Sequence, residues 1–182
     1  DRHDAGDSAY DFDGTDDDIR VNKLSGAIED QMTISAWVKV ASSTAKEFTL
    51  VRKDSGPQNT NQRKYDWGLA IINTSGVNFG MVTEDMSFGF TSPAPADSIV
   101  NKWTHVMAVR DTSNMFVYLN GEEIGKHLIS GKIKCGSPSF TIGSINSVNH
   151  FAKGQIDNVR IYNRALSAEE VKALYDLEKP KT

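Results

Sequence analysis

Four carboxylates fall within six residues in Asp13-Gly-Thr-Asp-Asp-Asp18, near the start of a 182-residue chain. Carboxylates at that density are hard oxygen ligands, and calcium is the ion that gathers several of them together with backbone carbonyls. Gly14 permits a sharp bend that would aim carbonyls at one ion. The spacing is not that of an EF-hand, because a loop counted from Asp13 places Asp18 where that motif needs glycine. A polar turn with no ion is the competing reading of the same residues.

A second set of residues suits sugar recognition, in which aromatic faces stack on pyranose rings and polar neighbours fix the hydroxyls. Arg63-Lys-Tyr-Asp-Trp67 directly follows the polar stretch from Lys53 to Gln62, and long loops on a rigid scaffold are where binding residues usually reside. Asn146-Ser-Val-Asn-His-Phe151 adds His150 just before the last strand-like run. Arg63, Tyr65, Trp67 and His150 are therefore the candidate ligand contacts. Against this stand a packed sheet residue for Trp67, a strand-edge aromatic for Tyr65 and an exposed turn residue for His150. The run from Met86 to Asp97 is another candidate rim, although burial of Phe88 and Phe90 is the simpler account. His105 lies inside a strand-like run and reads as a structural histidine.

Signs of catalysis are lacking. Glu122-Glu123 follows a turn and Glu169-Glu170 opens a helix, positions explained by solvation and capping. Gly-x-Ser-x-Gly, His-Glu-x-x-His and phosphate-loop strings are absent. The lone Cys135 excludes an internal disulfide and reads as a small apolar strand residue. Residues 1–18 carry eight aspartates against the single Arg2, a local −7 within an overall −4. Asp1, Asp4 and Asp7 read as a solvated acidic tail over residues 1–7, whereas Asp11 to Asp18 interleave with Tyr10, Phe12 and Ile19. No basic stripe suggests nucleic acid, and no apolar run approaches the length of a membrane span.

The elements that must position these residues are short strands. Tyr10–Asp13 and Ile19–Asn22 flank the acidic turn, and Met32–Val40 alternates in the manner of a half-buried strand. Phe48–Arg52, Trp67–Ile72, Val77–Val82, Phe88–Phe90, Trp103–Arg110, Met115–Leu119, Glu122–Lys126 and Ser139–Ile142 continue the series. Asn73-Thr-Ser-Gly76 supplies one turn, and Asn120-Gly121 predicts a type I′ hairpin with positive φ at both residues. Trp37 and Trp103 read as core. Ile156, Val159 and Ile161 carry a final strand into a helix beginning at Ala168. Ser167 and Glu170 form a capping box there, Leu166 and Val171 a hydrophobic staple, and Pro180 limits the helix. About a dozen strands, with hairpins and no βαβ rhythm, predict an all-β, two-sheet antiparallel sandwich with a short C-terminal helix, in one domain over 1–182.

Five ordered segments carry a family resemblance: Phe12-Asp-Gly-Thr-Asp-Asp-Asp-Ile19, Thr33-Ile-Ser-Ala-Trp-Val-Lys39, Trp103-Thr-His-Val106, Val117-Tyr-Leu-Asn-Gly121 and Gly154 to Leu174. They resemble the laminin-G-like, concanavalin A-like jelly-roll family from about residue 8 to 176. The resemblance implies a jelly roll with one concave face, found as an accessory module of secreted or surface glycan-active proteins. In similar jelly rolls an ion ties the first strand to the last, which would bring Asp157 beside the Asp13 loop. The implied set is a structural Ca²⁺ held by Asp13, Asp16 and Asp157; the alternative pairs Asp157 with Arg160 or Arg164. The Glu-x-Asp-x-x-Glu string of jelly-roll endoglucanases is absent. The expectation is a non-catalytic, lectin-like module for a polysaccharide or other glycan, secreted or on a cell surface and part of a larger multidomain protein. A structural or protein-adhesive sandwich is the alternative, and a glycan-cleaving enzyme a third reading.

Overall fold

A computed structural model describes residues 9–22, 28, 30–41, 47–54, 65–72, 76–85, 87–94, 99–133, 139–145 and 151–180. Its strands are β1 (Tyr10–Asp13), β2 (Ile19–Val21), β3 (Met32–Val40), β4 (Glu47–Asp54), β5 (Tyr65–Ile72) and β6 (Gly76–Val82), then β7 (Ser87–Pro93), β8 (Thr104–Arg110), β9 (Asn114–Leu119), β10 (Glu122–Leu128), β11 (Phe140–Ile142) and β12 (Lys153–Tyr162). One helix, α1 (Ala168–Glu178), follows. No helix among the described residues is long and apolar enough to cross a membrane. Cys135 and the turn residues 73–75 lie outside the described residues.

The strands form two six-stranded sheets, in the orders β1-β12-β3-β8-β9-β10 and β2-β11-β4-β5-β6-β7. Every ladder is antiparallel, as the expected sandwich requires. The first strand does lie beside the last, since β1 pairs with β12. The acidic turn carries the chain from the edge of one sheet at β1 to the edge of the other at β2. On the opposite side β7 meets β10, where the Phe90 and His127 rings stack at 5.5 Å. β7 runs on through Pro93, further than its aromatics suggest; as a sheet edge it tolerates a residue with no ladder N–H to donate.

Between the sheets the core takes one face of each strand: Ile34, Ala36 and Val38 of β3, Leu69 and Ile71 of β5, Phe79 and Met81 of β6, Val106 and Ala108 of β8. β3, expected to be half-buried, is buried on both faces. Its outer residues are covered by α1 and the segment leading to it. Thr33 Oγ1 donates to the Arg164 carbonyl (2.9 Å) and accepts from the Leu166 amide (3.0 Å). Ser35 Oγ hydrogen-bonds His105 Nε2 at 2.8 Å, and the Trp37 indole N–H donates to Glu178 Oε2 at 2.9 Å. Small hydroxyls and an indole are the polar groups a buried face can accept once each finds a partner. Trp37 is thus buried as expected, but under the helix and stacked with His105 and Tyr175 rather than between the sheets. Trp103 is half-buried immediately before β8.

The local signals at the C-terminus take the form their residues dictate. Ser167 caps α1, the Glu170 side chain accepts from the Ser167 amide at 2.9 Å, and Leu166 and Val171 share one apolar cluster with Met107, Val109 and Tyr118. Asn120 (φ 50°) and Gly121 (φ 82°) make the hairpin turn. A Cβ on Gly121 would press on Tyr175 of α1, so the turn and the helix fit together through the absence of a side chain.

Candidate functional site: a cleft on the sandwich edge

Where β1 and β12 of one sheet approach β2 and β11 of the other, the sandwich leaves a cleft of about 360 Å³. Its lining is Tyr10, Phe12, Ile19, Ile142, Ile156, Asp157, Asn158 and Val159. Alternation along β1 sends Tyr10 and Phe12 to the same side, with Phe12 3% exposed in the core and Tyr10 66% exposed at the mouth. The Phe12 ring packs against Gly143, where a Cβ would collide with it. Beside it Ser144 Oγ donates to Asp18 Oδ2 at 3.1 Å, tying the turn before β2 to the segment after β11.

A β-bulge supplies the polar rim. Between Asp157 and Arg160 the β12–β3 register slips, so that Asp157 faces Trp37 while Arg160 faces Ser35. The extra residue places Asn158 at φ 47°, a conformation that asparagine accepts more readily than most residues. Asn158 thereby joins the exposed Tyr10 in the lining of the cleft, whereas Asp157, the ladder partner of Trp37, shares the face that α1 covers. An exposed aromatic and an amide beside an apolar hollow can stack on one face of a small ring and hydrogen-bond its hydroxyls.

The expected ligand residues fall elsewhere. Arg63 and His150 lie outside the described residues, as does the side chain of Tyr65, whose backbone pairs with Asp54 in the β4–β5 ladder. Trp67 corrects the expectation: it is fully buried in the core and tilted against Phe140 at 6.0 Å, so neither ring face is open to a ligand. The alternation of β5 turns it inward with Leu69 and Ile71, and a polar loop upstream does not override that. His105 is fully buried, as a structural histidine should be.

Nor does the implied ion clasp have the geometry expected of it. Asp13 faces Lys153 in the β1–β12 ladder and Tyr10 faces Ile156, so Asp157 lies at the far end of β1 from Asp13. Four residues of strand separate them, about 13 Å. The carboxylates that converge are Asp13, Asp16 and Asp17, with one ligand atom from each lying within 4.8 Å of the others. Gly14 makes the bend at φ 86°. Asp13 Oδ1 accepts from the Thr15 amide (2.6 Å) and Asp17 Oδ2 from the Asp13 amide (2.9 Å), which orients both carboxylates. Three acidic oxygens in an exposed turn fit a hard divalent cation. Arg160 and Arg164 are engaged with Glu178 and Glu170.

Tyr10 and Asn158 are the site residues that sequence reasoning passed over. The signal was present: Ile156, Val159 and Ile161 break the period of two by one residue, with asparagine at the break.

A family model described as the concanavalin A-like lectin/glucanases superfamily matches residues 13–172. Among curated proteins no sequence matches the chain. Of solved structures, the receptor binding domain of botulinum neurotoxin D superposes with a TM-score of 0.71 at 19% identity, over 94% of this chain and 44% of its own. The botulinum neurotoxin serotype G binding domain gives 0.66 at 18% identity, over 96% of this chain and 48% of its own. The serotype D ligand binding domain in complex with N-acetylneuraminic acid gives 0.73 at 18% identity, over 94% and 42%. The chain spans less than half the length of these structures, and at such identities the likeness is one of fold.

Proposed function

Since the chain belongs to the concanavalin A-like lectin/glucanases superfamily, we propose that it is a non-catalytic, lectin-like module that holds a glycan in the cleft between β1–β12 and β2–β11. The observation that carries the reading is the exposed Tyr10 ring, which shares the cleft lining with the bulge residue Asn158 and a set of apolar side chains. Tyr10 supplies the stacking face, and the Asn158 amide both donates and accepts. The cleft lining includes one acidic residue, whereas glycoside hydrolysis calls for two carboxylates flanking the scissile bond, and this favours binding over cleavage. The serotype D neighbour, solved with a sugar acid, supports a carbohydrate as the kind of ligand this fold can hold.

The proposal extends to a structural Ca²⁺ in the acidic turn, held by Asp13, Asp16 and Asp17, where it would stiffen the corner that leads from β1 to β2. It also places the module in a secreted or surface-exposed protein with further domains, where a weak grip on a polysaccharide concentrates the attached activity.

A glycan array probed with the wild type and with Tyr10→Ala tests the function. Capture by the wild type, weakened about tenfold or more in the variant at unchanged melting temperature, is the expected result. Removing an exposed ring should alter stability by no more than about 0.5 kcal/mol. No glycan bound, with a protein partner captured instead, would replace the reading by an adhesive sandwich.

A further inference from the structure

Resting on the carbohydrate reading, we infer that the cleft selects saccharides carrying an alkyl or acyl substituent, the sugar ring stacking on Tyr10 and the substituent entering the hollow between the sheets. Two cross-strand pairs make the walls of that hollow. In one sheet Tyr10 of β1 stands opposite Ile156 of β12, and in the other Ile19 of β2 stands opposite Ile142 of β11. Phe12 and Val159 complete the apolar lining, so that six of the eight lining residues are aliphatic or aromatic. Of the other two, Asp157 shares the face under α1, which leaves Asn158 and the Tyr10 hydroxyl as the polar side-chain groups at the cleft.

Protein interiors pack as densely as organic crystals, yet here the apolar walls of both sheets run out to the edge around about 360 Å³. That volume lies within the roughly 300–1,000 Å³ of small-molecule sites. A bare pyranose suits the hollow poorly, because each hydroxyl carried between the two walls would give up its water and meet only hydrocarbon. An alkyl chain, or the methyl of an acetyl group, meets the opposite balance: every methylene buried there is a gain, and no polar atom is stranded. The two parts of such a ligand match the exposure of the lining. Tyr10, 66% exposed, is within reach of a ring at the mouth, while the buried Phe12 and Ile156 bound the depth.

The test uses the full chain and matched ligands: methyl and hexyl glycosides of glucose, galactose, mannose and xylose, and acetylated xylo-oligosaccharides beside the same oligosaccharides after deacetylation. The first comparison reads a substituent at the anomeric carbon, as on a glycolipid, and the second a substituent on a polysaccharide ring. In at least one of them the substituted member should bind about threefold tighter or more, since each methylene that becomes buried contributes about two- to fourfold. Ile19→Asn, which sets an amide in one wall, should remove that gain, and a gain that persists in the folded variant would overturn the placement in this hollow. The wild-type comparison stands on its own if the variant fails to fold. Gains below about threefold in both comparisons, with Tyr10-dependent binding retained, would overturn the specificity while leaving the glycan reading intact. Hexanol bound as tightly as the hexyl glycosides would overturn the glycan reading, and capture of no glycoside or oligosaccharide at all would overturn both.

Discussion

Asp13 and Asp157 sit on neighbouring strands yet at opposite ends of the β1–β12 ladder, because Asp13 faces Lys153 and Tyr10 faces Ile156. One aspartate belongs to the acidic turn and the other to the start of the β12 bulge, so the two can be separated by experiment. With Ca²⁺ proposed in the turn, adding calcium to chelator-treated protein raises the melting temperature, since a ligand specific to the native state stabilises it by mass action. Asp16→Asn removes that rise, and Asp157→Asn retains it. An equal loss in both variants would restore the clasp between the first and last strands.

Trp67 is a residue of the core, and its substitutions should behave accordingly. Trp67→Ala costs about 3–5 kcal/mol in urea unfolding, the range for deleting a large buried ring. The Trp67 indole N–H is buried with no hydrogen-bond partner among the described residues. Trp67→Phe, which keeps a ring and removes that donor, should cost less than about 2 kcal/mol. Glycan binding per folded molecule stays at the wild-type level in Trp67→Phe. A selective loss of binding there would return Trp67 to the ligand site.

The start of α1 is held by charge. The Arg164 guanidinium donates two hydrogen bonds of 2.8 Å to Glu170, and with the Ser167 amide it holds the Glu170 carboxyl down to about 2. A folded-state value below the unfolded one stabilises the protein above the unfolded carboxyl range of about 4.3, and the contribution fades as pH falls toward 2. Wild type should therefore melt above Glu170→Gln at pH 7, with the gap closing between about pH 4.5 and 2. Because both side chains remain open to solvent, the difference is small and salt-sensitive. A gap that widens on acidification would show that this ion pair is not its source.

At the other end of the helix Glu178 accepts from Trp37 and pairs with Arg160, although it is 6% exposed. Glu178→Ala leaves the Trp37 indole N–H without this acceptor and should destabilise the fold by about 1–3 kcal/mol. The loss should appear first as faster hydrogen exchange in α1, ahead of the sandwich core. Uniformly faster exchange across both sheets would mean that the helix is not a separate latch.

Much of this molecule is legible locally. Alternating apolar residues mark the strands, Asn120-Gly121 the hairpin, and Ser167 with Glu170 the helix start, since each signal acts between residues a few positions apart. Even the bulge at Asn158 is written in the broken spacing of Ile156, Val159 and Ile161.

Register and burial depend instead on partners far along the chain. Thr33 and Ser35 look like the wet side of a half-buried strand until the segment leading to α1 folds over them, and Thr33 meets Arg164 across 131 positions. A polar neighbourhood in sequence likewise suggested an exposed Trp67, which the pairing of β5 between β4 and β6 turns into the core. The sequence alone determined the strands, turns, helix cap and acidic corner, because those follow from short-range geometry. Only the tertiary structure decided which faces are covered twice and where the edge cleft opens. It also decided which aspartates converge, because those outcomes follow from how two sheets and a helix close on one another.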